Sequence, residues 1–190
     1  PGCMDSMVNK YTAARRLRSE DAYSPDGRHD LRPEYPTIVY TNILRQLFPD
    51  VPIVLGGIEA SLRRVMHYDY WQERFRPSIL CDCDADLITY GMGEKPTLEL
   101  VRLLTDAIDQ SHPLLHYDEK GEACITRQLL REVGIANLKQ TVTLWQKEEI
   151  PGGINKDDIV LHSYEECLKQ PQLHAENFRH IEEESNKIHA

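Results

Sequence analysis

Twice along this chain, an apolar run ends at closely spaced glycines and is followed by a helix-forming segment. The first occurrence is Val51–Leu55 followed by Gly56–Gly57, and the second is Ala85–Tyr90 followed by Gly91 and Gly93. Strands and helices that alternate in this way are typical of a parallel sheet covered by helices. The alternation therefore predicts an α/β fold: a Rossmann-like, mostly parallel sheet flanked by helices, with a helical C-terminal tail.

The other patterned segments predict further helices and short strands. Helices are expected where apolar residues recur with helical spacing, over Met4–Arg18, Thr37–Phe48, Ser61–Met66 and Thr97–Ile108. Short strands are expected over 78–80, 123–126, 141–146 and 158–161. The Pro-rich segment 19–36 is expected to be irregular. Ser163–Glu166 has the pattern of a capping box, and the charged segment His174–His189 predicts a solvent-facing helical connector.

These elements divide the chain into three predicted parts. Residues 1–110 are expected to form the Rossmann-like domain, incomplete at its N-terminus. Residues 111–161 have a weaker pattern and predict a β-containing extension, and residues 162–190 predict the helical connector.

Charge and hydropathy exclude several classes of protein. The 190 residues carry a net charge of -9, whereas a general nucleic-acid or membrane-surface binder needs a basic surface. No apolar segment approaches the roughly 18–20 residues that a membrane-spanning helix requires. The first residues have neither a charged region nor an apolar stretch typical of a signal peptide.

The cysteines are odd in number and scattered, at positions 3, 81, 83, 124 and 167. This arrangement does not predict the disulfide framework of a small secreted protein. A cytoplasmic location is therefore expected.

The two glycine turns are the first candidate ligand site, because ligands usually bind at the carboxyl ends of parallel strands. Glycine lets a backbone approach a ligand closely, and a helix N-terminus favours an anion. The alternative is that the glycines only permit a tight strand-to-helix turn, since neither a P-loop nor a dinucleotide fingerprint is present. The candidate ligand-binding residues in and after these turns are Gly56, Gly57, Glu59, Ser61, Gly91, Gly93 and Glu94.

The segment Met66–Trp71 is the second candidate, because it packs an imidazole, a carboxylate and three aromatic rings into six residues. His67 and Asp69 could do acid–base work, and Trp71 could stack on a flat ligand. Arg63 could supply charge to the same ligand. The alternative is an aromatic cluster that closes one end of the sheet.

Neither a metal site nor a catalytic residue is predicted. Cys81–Asp86 alternates cysteine and aspartate, but structural zinc requires a second spaced pair of ligands. The segment also lacks the glycine and closing glutamate of a calcium loop. A solvent-exposed approach to the following strand is the favoured interpretation, and no nucleophile motif is present.

Several blocks of the chain resemble the YgiQ family of radical S-adenosylmethionine (SAM) proteins, and together they cover most of its length. The blocks that carry the resemblance are Cys3–Ala13, Arg18–Pro25, Leu55–Arg64, His67–Trp71, Ala85–Gly91 and, more loosely, His162–Glu166 through to the C-terminus.

The resemblance implies a longer protein with two main parts. One part is similar to a cobalamin-binding-like α/β domain, and the other is a radical SAM barrel that binds a 4Fe–4S cluster through a C-x-x-x-C-x-x-C motif. That motif is absent from this chain, as are the family's opening strands and the Asp-x-His-x-x-Gly motif by which many cobalamin domains supply a lower ligand. The chain is therefore expected to be an accessory-domain fragment, with the cluster and SAM bound elsewhere in the full-length protein and cobalamin binding left open.

Two hypotheses follow for function. In the first, the chain is an accessory domain that is inactive alone and whose partner is the radical SAM barrel of the same polypeptide. In the second, it is a docking module that binds cobalamin, a nucleotide or the substrate at the surface formed by Glu59, Arg63, His67, Asp69 and Trp71.

Overall fold

The computed structural model of the chain describes residues 10–187. The strands are β1 (Val54–Leu55), β2 (His67–Asp69), β3 (Arg74–Arg76), β4 (Leu87–Thr89), β5 (His116–Tyr117), β6 (Ala123–Cys124) and β7 (Thr141–Val142). The α-helices are α1 (Pro36–Leu47), α2 (Gly57–Leu62), α3 (Ile79–Asp82), α4 (Glu94–Asp109), α5 (Arg127–Glu132), α6 (Tyr164–Lys169) and α7 (Gln172–Ser185). Short 3₁₀ turns lie at Pro25–Gly27, Ile135–Asn137 and Lys147–Glu149.

The central sheet has three strands in the order β1–β4–β7. Strands β1 and β4 are parallel, and β7 runs antiparallel to β4. Two antiparallel hairpins, β2–β3 and β5–β6, form separate two-stranded sheets. The predicted α/β fold is confirmed. The central sheet is mixed, with one parallel and one antiparallel pairing, where a mostly parallel sheet was expected.

Strand β4 is buried on both faces and separates two apolar cores. Ile88 faces a core that contains Ala60 of α2 and Ile79 of α3, and Ile38 of α1 packs against it. Leu87 faces the opposite core, with Leu100 of α4 and Leu130 of α5. Since successive side chains of a strand point to opposite faces, this alternation fixes β4 as the central layer.

A cluster of ion pairs closes the sheet at the amino ends of β1 and β4. The Asp86 side chain is 2% exposed and accepts hydrogen bonds from Arg45 at 2.7 Å and Arg127 at 2.6 Å. It also accepts one from the Ile53 backbone N–H at 2.8 Å. Asp84 pairs with the same Arg127 at 2.6 Å. These carboxylates hold α1 and α5 to opposite sides of the same strand end.

Most of the helices and strands expected from periodicity are present. The helices predicted over 37–48 and 97–108 are α1 and α4, and the strand predicted over 85–90 contains β4. The helix expected over 61–66 begins earlier, at Gly57, and ends at Leu62. The capping box is confirmed, since Ser163 and Glu166 exchange hydrogen bonds with each other's backbone N–H.

Three predicted elements are wrong. Within the described part of the first predicted helix, 10–18, Lys10 is helical, but residues 11–18 turn back on themselves: Tyr11 pairs with Leu17, and Arg15 has a φ of 57°. The segment 78–80 leads into helix α3, because the Ser78 side chain caps it by accepting from the Leu80 N–H. Residues 158–161 form no strand. Residues 4–9 of the first predicted helix lie outside the described part.

None of the helices within residues 10–187 is long and apolar enough to cross a membrane.

Candidate functional site

The two predicted glycine turns lie side by side at the carboxyl ends of β1 and β4. A Cβ added to Gly56 would lie 3.3 Å from Thr89 Oγ1, and one added to Gly93 would lie 3.6 Å from the same atom. Gly57 and Gly91 have φ values of 85° and 68°, in the left-handed region that favours glycine. Two separate sequence motifs therefore correctly predicted turns at the same edge of the sheet.

The side chains next to this edge are engaged within the protein. The Glu59 carboxylate is buried and accepts a hydrogen bond from Thr37 Oγ1 at 2.7 Å. Its other oxygen, Oε1, has no hydrogen-bond partner among the described residues. The Ser61 hydroxyl donates back to the Gly57 carbonyl at 2.8 Å. Glu94 begins α4 and places an acid in its first turn.

The segment that follows α2 forms a hairpin that sequence patterns did not predict. Strand β2 pairs with β3, so that His67 lies opposite Arg76 and Asp69 opposite Arg74. The Asp69 carboxylate accepts from the backbone N–H groups of Trp71 at 2.9 Å and Gln72 at 3.0 Å. The Asp69 carboxylate thus stabilises the turn through its backbone hydrogen bonds, and Glu73 takes the positive φ, 53°, that a hairpin usually gives to a glycine.

Asp69 is also the centre of a buried polar cluster. Its side chain is 1% exposed, accepts a hydrogen bond from the Tyr35 hydroxyl at 2.9 Å and lies 3.9 Å from the Arg63 guanidinium. Burial opposes ionisation, but the hydrogen bonds from Gln72, Tyr35 and Trp71 outweigh it and lower the pKa of Asp69. Burial and Asp69 together raise the pKa of Tyr35 to about 12. Asp69 is therefore an ionised anchor that holds the hairpin against α2 and the Tyr35 loop.

His67 does not form an acid–base pair with Asp69. Its Nδ1 lies 3.2 Å from the Val65 carbonyl oxygen, and no hydrogen bond joins the two side chains among residues 10–187. Burial lowers the pKa of His67, so the ring is neutral near pH 7. The geometry favours a structural role for this histidine.

One cavity of about 570 Å³ opens beside the hairpin. Trp71 forms its aromatic wall with Tyr11, whose ring centroid is 5.0 Å away, and with Tyr70 at 5.5 Å. Its charged lining residues are Arg18, Arg63 and Asp69. Aromatic walls with a few converging polar groups are typical of a pocket for a small, flat ligand.

The eleven predicted site residues thus fall into separate places. Arg63, His67, Asp69 and Trp71 line the hairpin cavity, while the glycines lie at the sheet edge. Sequence patterns missed Tyr11 and Tyr35, which reach this region from distant parts of the chain and have no local motif that marks them.

A second groove, of about 630 Å³, lies between the hairpin and the C-terminal helices. His174 of α7 packs edge-on against Phe75 at 4.9 Å, and the Tyr164 hydroxyl donates to the Phe75 carbonyl at 3.1 Å. Asn177 is buried and bonds both the N–H and the carbonyl of His162. The predicted solvent-facing connector therefore has one face that packs on the hairpin.

The alternating cysteines and aspartates of Cys81–Asp86 do not form a metal site. Asp82, Asp84 and Asp86 are paired with arginines, and burial raises the pKa values of the Cys81 and Cys83 thiols. Within residues 10–187 no three His, Cys, Asp or Glu side chains are grouped to hold a metal ion. The expectation of a solvent-exposed segment is wrong for Cys83, Ala85 and Asp86, which are buried.

Comparison with known proteins gives a family match over the whole chain. The model of a family described as "Radical SAM N-terminal" matches residues 1–190. A UPF0313 protein of Bacteroides thetaiotaomicron is 53% identical over 189 residues, which cover 100% of this chain and 28% of that protein. A UPF0313 protein of Porphyromonas gingivalis is 49% identical over 189 residues, covering 100% of this chain and 26% of that protein.

A more distant relative aligns with a similar share of this chain and of its own length. A UPF0313 protein of Geobacter sulfurreducens is 42% identical over 186 residues, which cover 97% of this chain and 26% of that protein. The chain thus spans about a quarter of the length of these curated relatives. No solved structure matches it significantly.

Proposed function

The chain belongs to the radical SAM N-terminal family, and from this we propose that it is the accessory N-terminal domain of a longer radical SAM protein and has no catalytic activity of its own. Two observations carry the proposal. The family model matches residues 1–190 of this chain, and the relatives that align with the whole chain are about four times as long. The resemblance of several sequence blocks to the YgiQ family supports the same assignment. The four described cysteines are free, which supports a cytoplasmic location.

In this proposal the 4Fe–4S cluster and SAM are bound by polypeptide outside these 190 residues. The residues described here do not fit a cluster, because no three potential ligands converge. Burial also raises the pKa values of the Cys81, Cys83 and Cys167 thiols, which opposes the thiolate form that iron requires. The domain's own contribution is then to pack against the barrel of the same chain and to present a surface next to it.

Iron and sulfide analysis after anaerobic reconstitution tests the accessory-domain proposal. The full-length protein should bind stoichiometric iron and sulfide, and the 190-residue chain treated in parallel should bind none. A stoichiometric cluster in the 190-residue chain would contradict the proposal, and so would a full-length protein that cannot be loaded.

The hairpin cavity favours a second candidate function, the docking of a small molecule. A flat ring could stack on Trp71 and Tyr11, and an acidic group could approach Arg63. Cobalamins, nucleotides and SAM are the ligands to test by calorimetry. Trp71→Leu should weaken binding, whereas the matched change Tyr117→Leu, on an exposed strand away from the cavity, should not. Absence of heat with every ligand would leave only the structural role.

A further inference from the structure

Helix α1 has an unusual distribution of charge for a helix at the surface. Arg45 is the single charged residue among Pro36–Leu47, and its side chain is only 11% exposed. Arg45 points inward, where it donates to the Asp84 carbonyl and to the Asp86 carboxylate. The solvent side of α1 therefore carries no charge.

Most of that solvent side is apolar, and its exposed polar residues are the uncharged Asn42 and Gln46. We define the outer face of α1 as the side chains that repeat at helical spacing away from the sheet, with exposed fractions between 37% and 65%: Val39, Tyr40, Ile43, Leu44 and Leu47. Phe48 continues the stripe past the helix end and is 52% exposed. The opposite side, which packs on the sheet, includes Thr41 and Arg45. The charged residue of α1 thus points inward, on the side where Ile38 packs against the core, whereas most of the large apolar side chains of α1 point outward.

A helix that is apolar on its exposed side is normally buried in the complete protein. The fully buried centre of a permanent interface is depleted of charged residues. Permanent interfaces are also more hydrophobic than transient ones and resemble a domain core cut in half. The outer face of α1 has this chemistry. Within residues 10–187, no other segment covers it.

We propose that the outer face of α1 is the surface against which the rest of the full-length polypeptide packs, within the same molecule. This rests on the proposed function, in which the chain is one domain of a longer protein. Relatives carry almost three quarters of their length outside the matched region, so an intramolecular partner of sufficient size exists. The occupant is an apolar surface of that polypeptide.

The missing charge favours a tethered partner over one that must be found by diffusion. A linked segment meets its site at a high effective concentration, whereas separate proteins use charged residues to steer their encounter. A second copy of this chain would also carry a net charge of -9, and long-range repulsion between two such chains disfavours their encounter.

Site-specific photocrosslinking in the full-length protein tests the proposal. The photoreactive residue benzoylphenylalanine replaces Leu47 on the outer face, which is 65% exposed in this chain. The matched control replaces Arg179 of α7, whose side chain is also 65% exposed but lies among charged residues. Illumination at position 47 should give a product of monomer mass, crosslinked to a peptide outside residues 1–190. Position 179 should give no such product.

The proposal would be overturned by a dimer-mass product at position 47, by a crosslink confined to residues 1–190, or by the absence of a crosslink. Equal crosslinking at both positions would also overturn it, because the outer face would then not be distinguished. As a second readout, Leu47→Asp should lower the Tm of the full-length protein by clearly more than Arg179→Asp, which disturbs only an exposed pair with Glu183. An unchanged Tm for Leu47→Asp would count against the proposal.

Iron content measured on the same preparations separates this inference from the proposed function. A cluster-loaded protein without the crosslink would reject the docking surface and leave the accessory-domain proposal standing. A crosslinked protein that cannot be loaded with iron would support the docking surface and contradict the accessory-domain proposal.

Discussion

Helices α1 and α7 are similar in length, with 12 and 14 residues, but they treat solvent in opposite ways. Helix α7 buries Asn177 and exposes charged side chains such as Arg179 and Glu183. Helix α1 buries Arg45 and exposes a row of aliphatic side chains. The charged surface of α7 is compatible with contact to water, whereas the apolar outer face of α1 is stabilised when another apolar surface covers it.

A substitution on the inner side of α1 should reduce the stability of the chain more than any other proposed here. Asp86→Ala removes the buried carboxylate shared by Arg45 and Arg127 and leaves both cations with only the exposed Asp84 as an acidic partner. Loss of one member of a buried ion pair lowers the free energy of unfolding by about 3–5 kcal/mol, measurable by urea denaturation. Asp84→Ala is the control: this side chain is 52% exposed, so the loss should stay below about 1 kcal/mol. Equal losses would mean that α1 is not held by the buried group.

The inner side of α7 should be more weakly held. Asn177→Ala removes the hydrogen bonds to both backbone groups of His162. Two unsatisfied groups in a partly buried site should reduce stability by about 1–3 kcal/mol. Hydrogen exchange of the α7 amides would report the loss locally. Exchange that rises no more than in Glu183→Ala, an exposed neighbour, would show that α7 does not depend on this contact.

A smaller effect should come from His174, which joins α7 to the hairpin. Burial lowers the pKa of His174, so the unfolded chain binds a proton more readily than the folded one. Stability from this site is therefore present above the ordinary histidine pKa and is lost as the pH falls below it.

Unfolding measured from about pH 7.5 to about pH 5 should give a smaller acid loss for His174→Gln than for the natural chain. His67, Arg64, His162 and Glu182 line the same groove and remain in both proteins, so they cancel in the comparison. Identical pH profiles of stability would show that protonation of His174 does not weaken the contact between α7 and the hairpin.

The outer face of α1 should give the smallest effect within the 190-residue chain. Leu47→Lys changes an exposed side chain, so the free energy of unfolding should stay within about 0.5 kcal/mol. Ile38→Lys, on the inner side that packs against the core, should lower it much more in the same urea titration. A large loss with Leu47→Lys would mean that this chain already covers the outer face.

Sequence patterns predicted those parts of the fold that depend on neighbours along the chain. The apolar runs before Gly56 and Gly91 identified two adjacent parallel strands, and their carboxyl ends had to meet at one edge. Helix α4 followed from apolar residues at helical spacing. These elements are specified locally, and local periodicity was sufficient to identify them.

The hairpin and its cavity depend on contacts that periodicity does not encode. Asp69 closes the β2–β3 turn with its own carboxylate, and Glu73 takes a φ of 53° where a glycine would have signalled a turn. Tyr35 reaches Asp69 across 34 residues, and Tyr164 reaches Phe75 across 89. Only the folded chain brings these groups together.

The many bonds of Arg45 have a consequence for how the protein tolerates change in length. Besides Asp84 and Asp86, its guanidinium donates to the carbonyls of Phe48, Pro49 and Val51. The Arg45 side chain thus fixes the path of the loop from the end of α1 to the start of β1. Surface loops commonly accept extra residues at little thermodynamic expense, but an insertion here would pull these carbonyls away from a buried cation. Among relatives, this connection should therefore keep its length while other loops vary.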